Sequence, residues 1–399
     1  MFQFSTANRI LFGEGALERS LSLLNQYGYS ALLVCGQDLS RSELLVHHFQ
    51  QQNMRYQQVS VKGEPYIAMV EELAAEGRRF SPDMVIAMGG GSVIDTGKAL
   101  AALIPNQGSV YDYIEVVGRA LPLQNKPLPF IAIPTTAGTG AEVTPNAVLT
   151  SAQERIKTSM RSPQMLPDLA IVDPTYSAGA SPELTARSGM DAFTHLMEAY
   201  VCNEPNPLSD MVCEEGLRRF VSAILPAVEE DDLRARSDLA FAAMLGGMAR
   251  ANAKLGAAHA LGRALGGRLD IAHSSITAYI APYVMQENIL AATAAHRHDV
   301  LNRYRQLSCL LTGRHNAEID DCVAWTRRLL TRLALPSISH SGLCETLFEE
   351  VAADAMRSNA LKGNPLPLNQ QRLVQILEKV CLSSDCGCQF TPLEGSESA

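Results

Sequence analysis

The stretch MVIAMGGGSVIDTGKALAAL, residues 84–103, decides the fold. Five apolar residues, Met84 to Met88, run without a break into Gly89, Gly90, Gly91 and Ser92 and then into a helical pattern. A short, continuously apolar run that stops at glycine reads as a strand buried on both faces, which belongs in a parallel sheet. The following VIDTGKALAAL reads as an amphipathic helix. Glycines at that junction let the backbone approach a ligand closely. The free N–H groups and positive dipole end of the helix suit a pyrophosphate. The spacing is neither G-x-G-x-x-G nor a P-loop. A plain strand-to-helix turn is therefore the competing account, with Asp95, read as lying in the first helical turn, merely complementing the dipole.

Working outward, the same grammar repeats. ALLVC, YQQVSV, FIAIP and LAIVDP alternate with polar helical stretches from Ala31 to about Pro174, which predicts strands joined by crossover helices. AVLTS and IKTSM flank the polar turn at Ala152, Gln153, Glu154 and Arg155 and predict a hairpin. FIAIP opens into Thr135, Thr136, Ala137, Gly138, Thr139 and Gly140, placing hydroxyls and glycines at the carboxyl end of a strand, where such sheets bind ligands. A capped glycine-rich loop without a ligand is the alternative there. Together the two loops point to a nucleotide crevice. After Ser181-Pro182-Glu183, a helix start with proline at its first position, strand signals give way to helical ones. The expected organisation is an α/β nucleotide-binding domain over residues 1–180, an all-α domain over 181–382 and a mobile tail over 383–399. No internal repeat is visible.

The helical half carries a possible metal set. Asp191 and His195 are four apart in GMDAFTHLMEAY, so both project from one helix face, with Cβ atoms about 6 Å apart. His259 and His273 are fourteen apart; on one straight helix that is roughly 21 Å, so they meet only if the chain turns back, and Gly266-Gly267 supplies the break. His273 follows LDIA at the start of a helix, where a ligand is readily aimed. An Asp–His ion pair on a solvated face is the simpler account of the first pair taken alone. Imidazoles plus one carboxylate suit a divalent ion such as zinc or ferrous iron. His47-His48 and His296-Arg297-His298 read as exposed helix residues.

Composition excludes several classes. With 399 residues, 47% hydrophobic and 19% charged, the chain fits a globular two-domain protein. A net charge of −9 and no basic run argue against nucleic acid. No apolar run approaches the ~18 residues of a membrane span, and the N-terminus lacks a signal-peptide pattern, so a cytoplasmic address is expected. Nine cysteines, an odd number without a secretory signal, read as free thiols; Cys386 and Cys388 form a Cys-x-Cys in the tail. The apolar helical half suggests a homo-oligomer.

In order along the chain, FQFSTANRILFGEGAL, GGGSVIDTGKA, IPTTAGTGAEVTP, LAIVDP, SGMDAFTHLMEAYV and the His259/His273 pair resemble the iron-containing, group III metal-activated alcohol dehydrogenases over roughly residues 1 to 380. The resemblance implies an active site in the cleft between a nucleotide-binding domain and a helical domain. It also implies that Asp191, His195, His259 and His273 bind a divalent metal, most often iron and in some members zinc. Gly89, Gly90, Gly91, Ser92, Asp95, Thr135, Thr136, Thr139 and Lys157 fall in or beside the cofactor-binding segments, and the cofactor is NAD or NADP. The implied reaction exchanges hydride between nicotinamide and an alcohol carbon, the metal polarising the oxygen.

Two departures stand out. Many members carry a second histidine four residues after the one matching His259; here that position is Arg263, which stays protonated near neutrality and does not relay a proton. Arg263 either grips a carboxylate, phosphonate or phosphate on the substrate, or pairs with a helix carboxylate or a cofactor phosphate. NAD-preferring members often place an acid after the second strand; ALLVCGQDLSRS has Gly36 there, with Asp38 favouring NAD and Ser40 and Arg41 favouring NADP. Polyol dehydrogenases and oxoacid-hydroxyacid transhydrogenases are the nearer alternatives within this resemblance. A dehydroquinate-synthase-like lyase is the more distant alternative.

Overall fold

A computed structural model of the protein describes residues 1–154, 156–269, 271–335, 338 and 343–382. Arg155 of the expected hairpin turn and the expected mobile tail, with Cys386 and Cys388, lie outside these residues.

Strands β1 (Ile10–Phe12), β2 (Ser30–Cys35), β3 (Arg55–Ser60), β4 (Met84–Gly89), β5 (Phe130–Pro134) and β8 (Leu169–Val172) form one sheet in the order β1-β8-β5-β4-β2-β3. Every pairing in it is parallel. Between β5 and β8 the chain makes an antiparallel hairpin of β6 (Asn146–Ser151) and β7 (Ile156–Arg161), as the two short polar-apolar runs predict. Helices α1 (Ala16–Leu24), α2 (Glu43–Gln51), α3 (Ile67–Phe80), α4 (Gly91–Leu103) and the single turn α5 (Val110–Tyr113) belong to this half.

The physical reason for the apolar runs is visible in their burial. β2, β4, β5 and β8 are buried along their whole length, because helices cover both faces. Leu32, Val34, Val85, Ala87 and Ala132 meet α3 and α4 on one side. Leu33, Cys35, Ile86, Met88 and Ile131 meet Leu17, Leu24, Leu45 and Phe49 of α1 and α2 on the other. The edge strand β3 is half exposed, as its sequence RYQQVS requires.

Two sequence expectations are corrected here. Helix α4 is not amphipathic: Val93 to Leu103 are all buried, because the β6-β7 hairpin packs over the face that would otherwise meet solvent. His48 is not exposed; it is 7% accessible, and its Nε2 lies 3.2 Å from Asn25 Oδ1. His296 and Arg297 stand in the turn before the next helix rather than within one.

From Pro182 onward the described chain is helical: α6 (Pro182–Val201), α7 (Pro207–Glu229), α8 (Leu233–Asn252), α9 (Ala257–Gly266), α10 (His273–Ala294), α11 (His298–Thr312), α12 (Asp321–Leu333), α13 (Phe348–Met356) and α14 (Gln370–Leu382). Ser181 caps α6 by accepting the Leu184 N–H, with Pro182 at the first helical position. From Gly189 on, α6 is buried on every side, with α7, α8 and α10 packed around it. Gly266 and Gly267 end α9, and the chain returns so that α10 begins at His273.

The register of the sheet sets the cleft. Gly89 pairs with Pro134, and Cys35 with Met88, so three loops leave the carboxyl edge side by side. After β2 the chain moves to β3 on one side; after β4 it moves to β5 on the other. The β2/β4 boundary is thus a switch point, where open parallel sheets leave a crevice for a ligand.

Candidate active site

Two glycine-rich loops touch each other at this edge and are in turn pressed against the helical half. A Cβ on Gly91 would stand 2.6 Å from Thr139 Cγ2, and one on Gly138 would stand 2.8 Å from the Ser188 carbonyl oxygen of α6. Gly140 adopts φ +59°, and a Cβ there would lie 2.5 Å from Gly247 Cα of α8. The absence of side chains lets the second loop sit directly on α8 and on α6, the helix that carries Asp191 and His195.

Between them lies a cavity of about 300 Å³. Its wall includes Gly90, Gly91, Ser92, Asp95, Thr136, Thr139 and Lys157 from the α/β half, and Asp191, His195, His259, His273 and Arg263 from the helical half. Gly89 and Thr135 sit just behind this wall, the Thr135 N–H donating to the Gly89 carbonyl at 3.0 Å. Gly36 and Asp38 lie apart from it, beyond the end of β2. Asp38 is exposed and caps a short 3-10 turn, accepting the Ser40 N–H at 3.2 Å. Arg41 donates to the Tyr176 carbonyl at 2.7 Å.

Asp191, His195 and His259 offer ligand atoms that all lie within 4.8 Å of one another, and all three residues are buried. The His195 and His259 rings stack with centroids 4.5 Å apart. Asp191 Oδ1, His195 Nδ1 and His259 Nε2 have no hydrogen-bond partner although no solvent reaches them. Buried polar atoms are almost always paired, so three orphans on three clustered residues fit a cation that these residues would share. Burial pushes the His195 and His273 imidazoles well below their ordinary pKa, helped by neighbouring positive groups, and so keeps them neutral, the form that ligates. Burial alone would push the Asp191 carboxyl up, as expected of an acid with no bound counter-charge.

His273 stands farther out, half-buried at the first position of α10, its ring 5.8 Å from that of His259. Its Nδ1 lies 3.1 Å from the Gly262 carbonyl; donating there, it leaves Nε2 free.

Sequence reading missed the residue that fixes His259. Glu198, on α6 one turn beyond His195, places Oε2 2.6 Å from His259 Nδ1, while its Oε1 accepts the Ala258 N–H at 2.7 Å. A carboxylate behind a ligating imidazole sets the tautomer and the ring orientation. The signal was present, three residues after His195 on the same helix, but only the fold shows that it faces α9.

Asp95 also departs from the sequence account. It lies in the second turn of α4, where it is buried, accepts the Val148 N–H at 3.1 Å and stands 3.8 Å from Lys98 Nζ. Its role is to tie α4 to the hairpin rather than to complement the dipole. Lys98 is buried as well and donates to the Ala141 and Asn146 carbonyls at 2.7 and 2.8 Å, holding the second glycine loop; burial lowers its pKa to about 8. Lys157 pairs with Glu64 at 2.7 Å. Arg263, one turn after His259, has no hydrogen bond or ion pair among the described residues. Burial brings it down to about 10, still protonated near neutrality.

The chain is similar over its length to known dehydrogenases. It is 35% identical over 321 residues to long-chain-alcohol dehydrogenase 1 of Geobacillus thermodenitrificans, covering 79% of each chain. It is 30% identical over 391 residues to the NADPH-dependent butanol dehydrogenase of Clostridium saccharobutylicum, covering 95% of this chain and 98% of that one. The crystal structure of a 1,3-propanediol oxidoreductase superposes with a TM-score of 0.86 at 29% identity, covering 95% of this chain and all of the other. The alcohol dehydrogenase of Oenococcus oeni gives a TM-score of 0.87 at 26% identity, with the same coverage. Residues 7–174 match the profile of the iron-containing alcohol dehydrogenases and residues 185–381 that of their C-terminal region, so the chain belongs to the iron-containing alcohol dehydrogenase family.

Proposed function

We propose that this protein is a metal-dependent, NAD(P)-linked oxidoreductase that interconverts an alcohol and an aldehyde or ketone in the cleft between sheet and helices. One observation carries the reading: Asp191, His195 and His259, whose buried ligand atoms lack partners, line the same cavity as the α4 N-terminus. Asp191, His195, His259 and His273 hold the metal, iron by family membership, and Glu198 orients His259. A divalent metal, when bound there, supplies Lewis acidity toward the substrate oxygen. Nicotinamide supplies or accepts the hydride.

The chain's own residues do the rest. The N–H groups of Gly91 and Ser92 and the α4 dipole bind the pyrophosphate, with Gly89 and Gly90 giving it room. The Thr136 and Thr139 hydroxyls bind cofactor oxygens; Thr135 joins the two loops through Gly89, and Asp95 ties α4 to the hairpin. Lys157, positioned by Glu64, faces the nicotinamide end. Gly36 and Asp38, beside the switch point, meet the adenosine ribose. Arg263 stays protonated and binds substrate rather than moving a proton. The domain limits at residue 180 and the oligomeric, cytoplasmic state belong to the same reading. The free thiols of buried Cys35, Cys202, Cys213 and Cys322 support a reducing compartment, and no helix among the described residues is long and apolar enough to cross a membrane.

The test is reconstitution of metal-free protein with Fe(II) or Zn(II), followed by NAD(P)H absorbance with a panel of aldehydes and both cofactors. Metal-dependent oxidation of NAD(P)H is expected; none with any aldehyde overturns the reading.

A further inference from the structure

The cleft holds more positive charge than its described acidic side chains pair. Arg187, Arg250 and Arg263 all line the cavity that contains Asp191, His195 and His259. A second cavity of about 500 Å³ shares Arg263 and Lys157 with the first, so Arg263 lines both. Several arginines elsewhere in this molecule are tied to carboxylates: Arg268 to Glu350, Arg303 to Asp210, Arg332 to Glu229 and Arg372 to Glu287. Arg263 has no such partner among the described residues. Arg250 reaches only the Thr144 hydroxyl at 3.4 Å, and its Nε is buried without any acceptor.

Holding a guanidinium half-buried without a counter-charge is costly, and burial lowers the proton affinity of both groups. Arg250 carries the nearby charges of Asp95 and Asp191, yet makes no ion pair with either. What such groups lack is an oxyanion, which a guanidinium matches with two parallel donors. The pyrophosphate already has donors at the α4 N-terminus. His259 and Arg263 lie four apart on α9, so their Cβ atoms are about 6 Å apart on one face.

Resting on the dehydrogenase reading above, we propose that Arg250 and Arg263 hold an oxyanion, a carboxylate or a phosphonate, carried by the substrate itself. The preferred substrate is then a short anionic aldehyde or ketone, or the matching hydroxy acid, rather than a neutral alcohol. Reduction breaks the C=O π bond, places hydride from the reduced nicotinamide on carbon and a proton from solvent on oxygen, and leaves the oxyanion unchanged.

The experiment compares butanal, 4-oxobutanoate and 3-oxopropylphosphonate with the metal-loaded enzyme. Alongside, calorimetric titration measures binding of the unreactive anions butanoate and propylphosphonate. The expected result is kcat/KM at least 100-fold higher for one of the two anionic aldehydes than for butanal. Whichever of the two it is names the anion. Arg250→Met and Arg263→Met, checked for folding by thermal melting, should each lower the anionic-to-neutral ratio by 10-fold or more and weaken binding of the matching unreactive anion. Should either variant fail to fold, the wild-type panel and titration still decide. Equal kcat/KM for butanal and both anions overturns the proposal while leaving the dehydrogenase reading intact. So does a loss of NAD(P)H binding in the arginine variants with an unchanged ratio, which would assign the arginines to the cofactor. Arginine-dependent anion binding without turnover of any aldehyde supports the anion site and overturns the dehydrogenase reading instead.

Discussion

Glu198 Oε2 lies 2.6 Å from His259 Nδ1, across 61 residues of sequence, while its other oxygen accepts the Ala258 N–H. Both carboxylate oxygens are thus acceptors, and glutamine offers only one. Glu198→Gln must leave either the imidazole or the α9 N-terminus unsatisfied. Metal affinity is expected to fall about 10- to 100-fold, read by competition with a chromogenic chelator. Unchanged affinity would show that His259 is held by packing alone.

Metal loading itself should stabilise the fold, since Asp191 Oδ1, His195 Nδ1 and His259 Nε2 are buried without partners. A ligand present at about 100 times its dissociation constant adds about 2.7 kcal/mol. Melting with and without Fe(II) or Zn(II) should show that shift in the wild type and none in His195→Ala. An equal shift in both would place the metal elsewhere.

Gly91 and Thr139 couple the two cofactor loops, because a Cβ on Gly91 would stand 2.6 Å from Thr139 Cγ2. Gly91→Ala should push that loop out of register and weaken NAD(P)H binding about 10-fold, roughly 1.4 kcal/mol, in a fluorescence titration. An unaltered dissociation constant would remove these loops from the cofactor site.

The contact between Gly140 and Gly247 joins the sheet to the helical half. A Cβ on Gly247 would collide with the Gly140 carbonyl, and backbone cannot rotate away as a side chain does. Gly247→Ala is expected to cost about 1–3 kcal/mol in urea unfolding, with the cleft misaligned and activity reduced beyond the stability loss.

The buried Glu142 gives a pH signature. Burial pushes its carboxyl from 4.5 up to about 6, against the charges of Lys98 and Arg250. Between those values the folded protein holds a proton that the unfolded chain has released, so this group's contribution makes stability fall as pH rises from about 4.5 to about 6, and the loss persists above. Its size is about 2 kcal/mol. Relative to wild type, Glu142→Gln should therefore gain about that amount between pH ~4.5 and pH ~7, measured by urea denaturation. A constant difference across this range would contradict the burial account.

The sequence by itself determined the parts whose information is local. Apolar runs such as MVIAM are strands because each is buried on both faces, and glycines between strand and helix mark the loop at Gly90 and Gly91. A four-residue spacing puts Asp191 and His195 on one helix face, and Gly266-Gly267 lets His273 return toward His259. Tertiary structure alone decided what those parts meet. It turned Asp95 inward to Val148, covered α4 with the hairpin, brought Glu198 behind His259, and aimed Arg250 and Arg263 into one cleft with no described carboxylate paired to either. The physical reason is separation along the chain. Periodicity and turn chemistry act over a few residues, whereas the partner of a buried charge is chosen by packing between elements dozens of residues apart.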